Sequence, residues 1–123
     1  MPLSITVSPA TGERKRILIG GSLDSSTADE LQLCMDTELA SGGDIILDFN
    51  DLEFISSAGL RVIFKAKKAL DERGDKLYLV NLKPQIKKVF DIIKALDGMN
   101  VFRNIEEMDE YLAAMQQKVI DDQ

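Results

Sequence analysis

The sequence contains no histidine and no tryptophan, and its single cysteine is Cys34. These absences remove whole classes of chemistry, because disulfide frameworks, Cys/His zinc sites, Cys-His nucleophile pairs and Ser-His-Asp triads all need residues that are missing. No stretch approaches the roughly 18 consecutive apolar residues that a membrane-spanning helix requires. The first residues, Met1 to Val7, show no basic flank leading into a long apolar segment, so the expectation is a soluble, cytoplasmic chain without membrane insertion. What is present is ordinary for a globular domain. The 123 residues are 45% hydrophobic and 29% charged, enough to bury a core and too apolar for intrinsic disorder. Fifteen basic against 21 acidic residues leave a net charge of −6. That sign disfavours nucleic acid and anionic membranes, both of which recruit Lys and Arg clusters, and leaves a protein as the expected partner.

Hydropathy patterning predicts strands alternating with helices. Leu3, Ile5 and Val7 alternate with Ser4, Thr6 and Ser8, the period of a half-buried strand. Pro9, Thr11 and Gly12 mark a turn into a second strand over residues 16–20, so the two pair as a hairpin. Thr27 and Glu30 have capping-box spacing before a helix predicted over residues 28–39, which the run Ser41-Gly42-Gly43 ends. A buried strand follows over residues 44–49, then a helix over 57–73 stopped by Gly74. A strand over 76–80 precedes a helix that starts at Pro84, carries Ile86, Val89, Phe90, Ile93 and Leu96 inward, and closes at Gly98. A short edge strand over 99–102 and a last amphipathic helix complete the chain. That helix opens on Asn104 and Glu107 and repeats Ile105, Met108, Leu112, Met115 and Val119. The expected architecture is α/β, an open mixed sheet with an initial hairpin and four helices, in one domain over residues 1–119 with a fraying tail over 120–123.

The informative stretch runs Asp51-Leu52-Glu53-Phe54-Ile55-Ser56-Ser57-Ala58-Gly59-Leu60-Arg61. It leaves a buried strand and enters a helix, which places it at the carboxyl end of the sheet, where α/β folds present ligands and partners. With Ser56 as N-cap, Ile55 and Leu60 fall at the N′ and N4 positions of a hydrophobic staple. Ser57 is then the first helical residue, with a hydroxyl that capping does not consume. Gly59 offers close approach. On physics alone, the plainer reading of the two serines is a helix start, because Ser is a common cap.

The segment Ser56-Ser57-Ala58-Gly59-Leu60 resembles the signature of the anti-sigma-factor antagonists, single-domain members of the STAS family shared with sulphate-transporter tails. The resemblance extends to Gly21-Ser22-Leu23-Asp24 with Thr27, to Leu47-Asp48-Phe49-Asn50-Asp51-Leu52 and to Val80-Asn81-Leu82, and covers the chain up to about Leu112. It implies the STAS fold and makes Ser57 a phosphoacceptor, modified by an ATP-dependent serine kinase that is also an anti-sigma factor and restored by a PP2C-type phosphatase. The unmodified protein would bind that kinase and free its other client. The expected contact surface combines Asp24, Ser25, Ser26 and Thr27 with the helix start Ser57, Ala58, Gly59, Leu60 and Arg61, since both lie where strands hand over to helices. One departure is plain: where the common motif has Asp before the phosphoacceptor, this chain has Ser56, which can cap a helix but adds no negative charge.

Alternatives remain open at several positions. Asp24 suits either a kinase-guiding carboxylate or a simple Asx turn. Arg61, Lys65 and Lys68 suit a docking stripe or a solvated face. Gly20-Gly21 suits a turn better than a nucleotide loop, since neither G-x-G-x-x-G nor a P-loop lysine accompanies it. Asp48 and Asp51 read as solvated strand-end carboxylates or as cation ligands, and Cys34 as a packed, unreactive thiol. No catalytic residue, metal ligand or cofactor is assigned. The competing function is a non-switching STAS subunit of a lipid-transport or signalling complex.

Overall fold

Among the described residues, alternating and continuous apolar runs become five strands, and the 3.6-period stripes between them become four helices. In order these are β1 (Ser4–Pro9), β2 (Lys15–Leu23), α1 (Ala28–Leu39), β3 (Ile45–Ile55), α2 (Ser57–Glu72), β4 (Leu77–Val80), α3 (Pro84–Ile92), β5 (Asn100–Phe102) and α4 (Ile105–Asp121). The computed structural model describes residues 2–10, 14–92 and 100–121. The hairpin turn at Thr11 and Gly12 and the end of the third helix at Ile93, Leu96 and Gly98 lie outside the described residues, as do Met99 and the side chains of Met115 and Val119. Helix α4 continues to Asp121, two residues into the stretch expected to fray.

The strands form one sheet in chain order, β1-β2-β3-β4-β5. The expected hairpin is present, with β1 antiparallel to β2 and Val7 opposite Ile17. The remaining pairs are parallel, because each is joined through a helix rather than a tight turn. Side-chain alternation sorts the core into two layers. Ile17, Ile19, Ile45, Leu47, Leu77 and Leu79 pack with Leu31 and Met35 of α1, Ile63 and Leu70 of α2, and Phe90 of α3. On the opposite face Ile46, Tyr78 and Val80 pack with Met108 of α4. Strand β4 is buried throughout, as a strand with both faces covered must be.

Several helix boundaries follow the local chemistry that predicted them. Gly74 lies at φ 83° and ends α2 in a Schellman arrangement, with Asp75 N donating to Leu70 O at 2.9 Å and Gly74 N to Asp71 O at 3.2 Å. Asn104 Oδ1 accepts from Glu107 N at 2.8 Å to start α4. Thr27 behaves differently from its expected capping box. Its side chain makes no cap bond; the hydroxyl accepts from Asp24 N and donates to Ser22 O, both at 2.9 Å, so it locks the loop before the helix instead.

Strands β2 and β3 both run longer than their hydropathy suggests. Two register shifts, between Leu18 and Gly20 and between Gly21 and Ser22, carry the pair on to Leu23 and Ile55. The glycines are therefore inside β2, not in a turn after it. Gly21 lies at φ 84°, and a Cβ there would sit 2.0 Å from the carbonyl oxygen of Pro2. Only a residue without a side chain lets the start of the chain cross that closely.

Candidate functional site

Strands β2 and β3 end side by side, and Ser56 N donates to Leu23 O at 2.9 Å, so the loop after each strand is stitched to the other. Asp24 follows directly from Leu23 and Ser57 from Ser56. Residues 24–27 and 56–61 thus form one rim at the carboxyl end of the parallel strands, where the sequence argument put them.

Ser56 is extended, at φ −105° and ψ 174°, and its Oγ accepts from Gly59 N at 3.4 Å. It is the N-cap, and Ile55 and Leu60 beside it are both buried in the main core. Ser57 opens α2 and is exposed. Among the described residues its hydroxyl has no hydrogen-bond partner, so a nucleophilic oxygen stands free at the rim.

The opposing loop is held by its own carboxylate. Asp24 accepts from Ser26 Oγ at 2.6 Å and from Ser26 N at 2.9 Å. These bonds, the side-chain one first, hold the carboxyl below its ordinary value of 3.8 and keep it anionic near neutrality. Ser25 and Ser26 are exposed and Asp24 is half-buried, whereas Thr27 is buried.

The expected contact residues therefore divide. Arg61 is exposed and Ala58 half-buried, while Gly59 and Leu60 are buried and offer a partner no side chain. Gly59 is required by packing: a Cβ there would lie 2.5 Å from Leu23 Cγ and 3.2 Å from Ile55 Cγ1. Lys65 and Lys68 are exposed on the same helix.

Two features escaped the sequence argument. Phe54 is 50% exposed beside the rim although Leu52 and Ile55 around it are buried; the clue was an apolar residue just before the serines. Asp48 is fully buried, contrary to a solvated strand-end carboxylate. Arg16 Nε donates to its Oδ2 at 2.9 Å and Nη2 to the same oxygen, while Asn50 N and Asn81 Nδ2 donate to Oδ1 at 2.9 and 3.0 Å. Asp51 is engaged separately, by Asn50 Nδ2 at 3.1 Å. Among the described residues no cluster of His, Cys, Asp or Glu could hold a metal ion, and no helix is long and apolar enough to cross a membrane. Burial, with Glu38 nearby, pushes the Cys34 thiol up from 9.0, which keeps it protonated and unreactive near neutrality.

Comparison with known proteins agrees with this fold. The chain is 36% identical over 73 residues to BtrV of Bordetella bronchiseptica, a candidate anti-sigma factor antagonist; the match spans 58% of this chain and 63% of that one. It is 28% identical over 92 residues to the anti-sigma-B factor antagonist of Staphylococcus aureus, spanning 73% of this chain and 84% of the relative. Among solved structures, the Bacillus cell fate determinant SpoIIAA shares the fold in both of its states. The unphosphorylated form matches with a TM-score of 0.69 at 22% identity, over 92% of this chain and 98% of that one. The phosphorylated form matches with 0.68 at 23%, over 88% and 99%. The profile described as STAS domain matches residues 9–108, and with that span, this sheet and this rim the chain belongs to the STAS domain family.

Proposed function

We propose that this protein is an anti-sigma-factor antagonist whose binding is switched by phosphorylation of Ser57. In the unmodified state the rim binds a cognate serine kinase that doubles as an anti-sigma factor, in the cytoplasm, and frees that kinase's other client. Transfer of the γ-phosphoryl group of ATP forms the Oγ–P bond and releases ADP and the hydroxyl proton. Hydrolysis by a PP2C-type phosphatase spends one water, releases inorganic phosphate and restores the hydroxyl. The observation that carries this reading is the free, exposed Ser57 hydroxyl beside a neighbour that does the capping.

Phosphate adds about −1.5 to −2 charges, taking the chain from −6 to roughly −8. At the first position of α2 that charge meets the positive end of the helix dipole, so the helix persists and the switch is local. The near-equal fold match to both states of SpoIIAA supports a switch without refolding. Desolvating an unpaired charge at an interface costs several kcal/mol, and each ~1.4 kcal/mol changes affinity tenfold, so a local mismatch suffices to release the partner. Exposed Ser25, Ser26, Ser57 and Arg61, with half-buried Asp24 and Ala58, make the contact; buried Thr27, Gly59 and Leu60 shape it. The test is mass spectrometry of Ser57 in protein from its native cell, paired with capture of a serine kinase from the same cells by the Ser57→Ala and Ser57→Asp forms. A phosphate at Ser57 and a partner held by the Ala form alone support the switch. An unmodified Ser57 with equal binding of both forms leaves a non-switching subunit instead.

A further inference from the structure

The cations of this protein are not used alike. Lys15, Arg16, Lys67, Arg73, Lys83 and Arg103 each form an ion pair with a carboxylate. Arg61 is exposed and forms none among the described residues, and the same holds for Lys65 and Lys68 further along the helix, so what sets it apart is its position. It lies four residues after Ser57, which opens the same helix. Residues spaced i and i+4 share a helix face, and helical side chains lean toward the N-terminus, so a side chain as long as that of Arg61 can reach the turn that Ser57 begins. An anion N-terminal to a cation at this spacing is the favourable order.

We infer that Arg61 is the intramolecular counter-cation of phosphorylated Ser57, so that modification withdraws a cation from the docking face as it adds an anion. This rests on Ser57 being the phosphoacceptor. In the unmodified chain Arg61 is an exposed guanidinium about one helical turn from Ser57, available to an acidic group of the kinase. Once the phosphate is in place, the planar fork of Arg61 meets two of its oxygens, the geometry that guanidinium groups satisfy best. The same cation offsets repulsion from the Asp24 carboxylate across the rim, which its bonds to Ser26 keep anionic. The partner therefore loses a free guanidinium and meets a phosphate in one event, while the net charge of the face changes only by that of the phosphate.

The test uses the full chain carrying phosphoserine at position 57, installed during synthesis so that no kinase is needed, with the second phosphate ionisation followed by 31P NMR. A neighbouring cation favours the dianion and lowers that pKa, whereas Asp24 raises it. Arg61→Gln is expected to raise it by about 0.3–0.5 units, Asp24→Asn to lower it, and Lys65→Gln, a further turn away, to leave it unchanged. The Arg61 Nε–H resonance should shift on phosphorylation, and Arg61→Lys should restore part of the effect. Coincident titration curves for the unaltered and Arg61→Gln chains overturn the pairing. Because the phosphate is placed synthetically, that failure is distinct from the absence of Ser57 phosphate in native protein, which would sink the switch itself.

Discussion

Replacing Asp48 by alanine should be among the most damaging single changes in this protein, although it lies far from the rim's exposed residues. The carboxylate is fully buried and receives four donors: Arg16 Nε and Nη2, Asn50 N and Asn81 Nδ2. It joins β2 to β3 and, through Asn81, to the end of β4; Asn81 in turn donates its backbone N–H to Arg103 O at 3.2 Å, beyond β5. Asn81 also sits at φ 60°, a conformation its side-chain bond helps to hold. Breaking a buried pair typically costs about 3–5 kcal/mol. Here the Arg16 side chain keeps 41% of its surface exposed and can rehydrate, so the loss should be about 2–4 kcal/mol, mostly from the donors left facing nothing. For a domain of this size that lowers the melting temperature by roughly 8–15 °C. Asp48→Asn keeps an oxygen for Asn50 and Asn81 but turns an amide toward Arg16, so it should fall between alanine and the unaltered chain. The assay is urea unfolding followed by circular dichroism, with Lys67→Ala, which removes an exposed pair, as the control at about 0.5 kcal/mol or less. A loss below 1 kcal/mol for Asp48→Ala, or one no larger than the control, would refute the view that this buried carboxylate holds the strand ends together.

Gly59→Ala should destabilise by about 1–2 kcal/mol in urea unfolding, because overpacking against the fully buried Leu23 outweighs the better helix propensity of alanine. Ser56→Ala should cost about 0.5–1 kcal/mol, the lower part of the capping range given its 3.4 Å bond, while Ser57→Ala stays within about 0.5 kcal/mol of the unaltered chain; the same measurement tells the two serines apart. Asp24 has a folded pKa below its ordinary 3.8, so the stability it adds is present above that value and is lost as pH falls through the lower folded value. Acid unfolding of Asp24→Asn should accordingly be flatter below pH 3.8 than that of the unaltered chain.

Much of the local structure around Ser56 and Ser57 was legible because its logic is local. The bounds of α1 match the predicted 28–39, and α2 ends one residue short of the predicted 73, since apolar spacing and a glycine stop act within a turn or two of chain. The division of labour between Ser56 and Ser57 is of the same kind: the cap bond reaches three residues. Thr27 shows where such reasoning fails even at short range. The box it fits on paper competes with a loop whose Ser22 carbonyl and Asp24 amide bind its hydroxyl first.

Composition, periodicity and cap chemistry were enough to establish an α/β chain with a helix-opening serine left unoccupied, because each of those depends on neighbours a few residues apart. Cross-strand pairing is different in kind. The register shifts that draw Gly20 and Gly21 into β2, the extension of β3 to the rim, and the burial of Asp48 against Arg16 and Asn81 all arise between residues about thirty apart. No local pattern encodes a contact at that separation; it exists only once the sheet has brought the strands together and excluded water from between them.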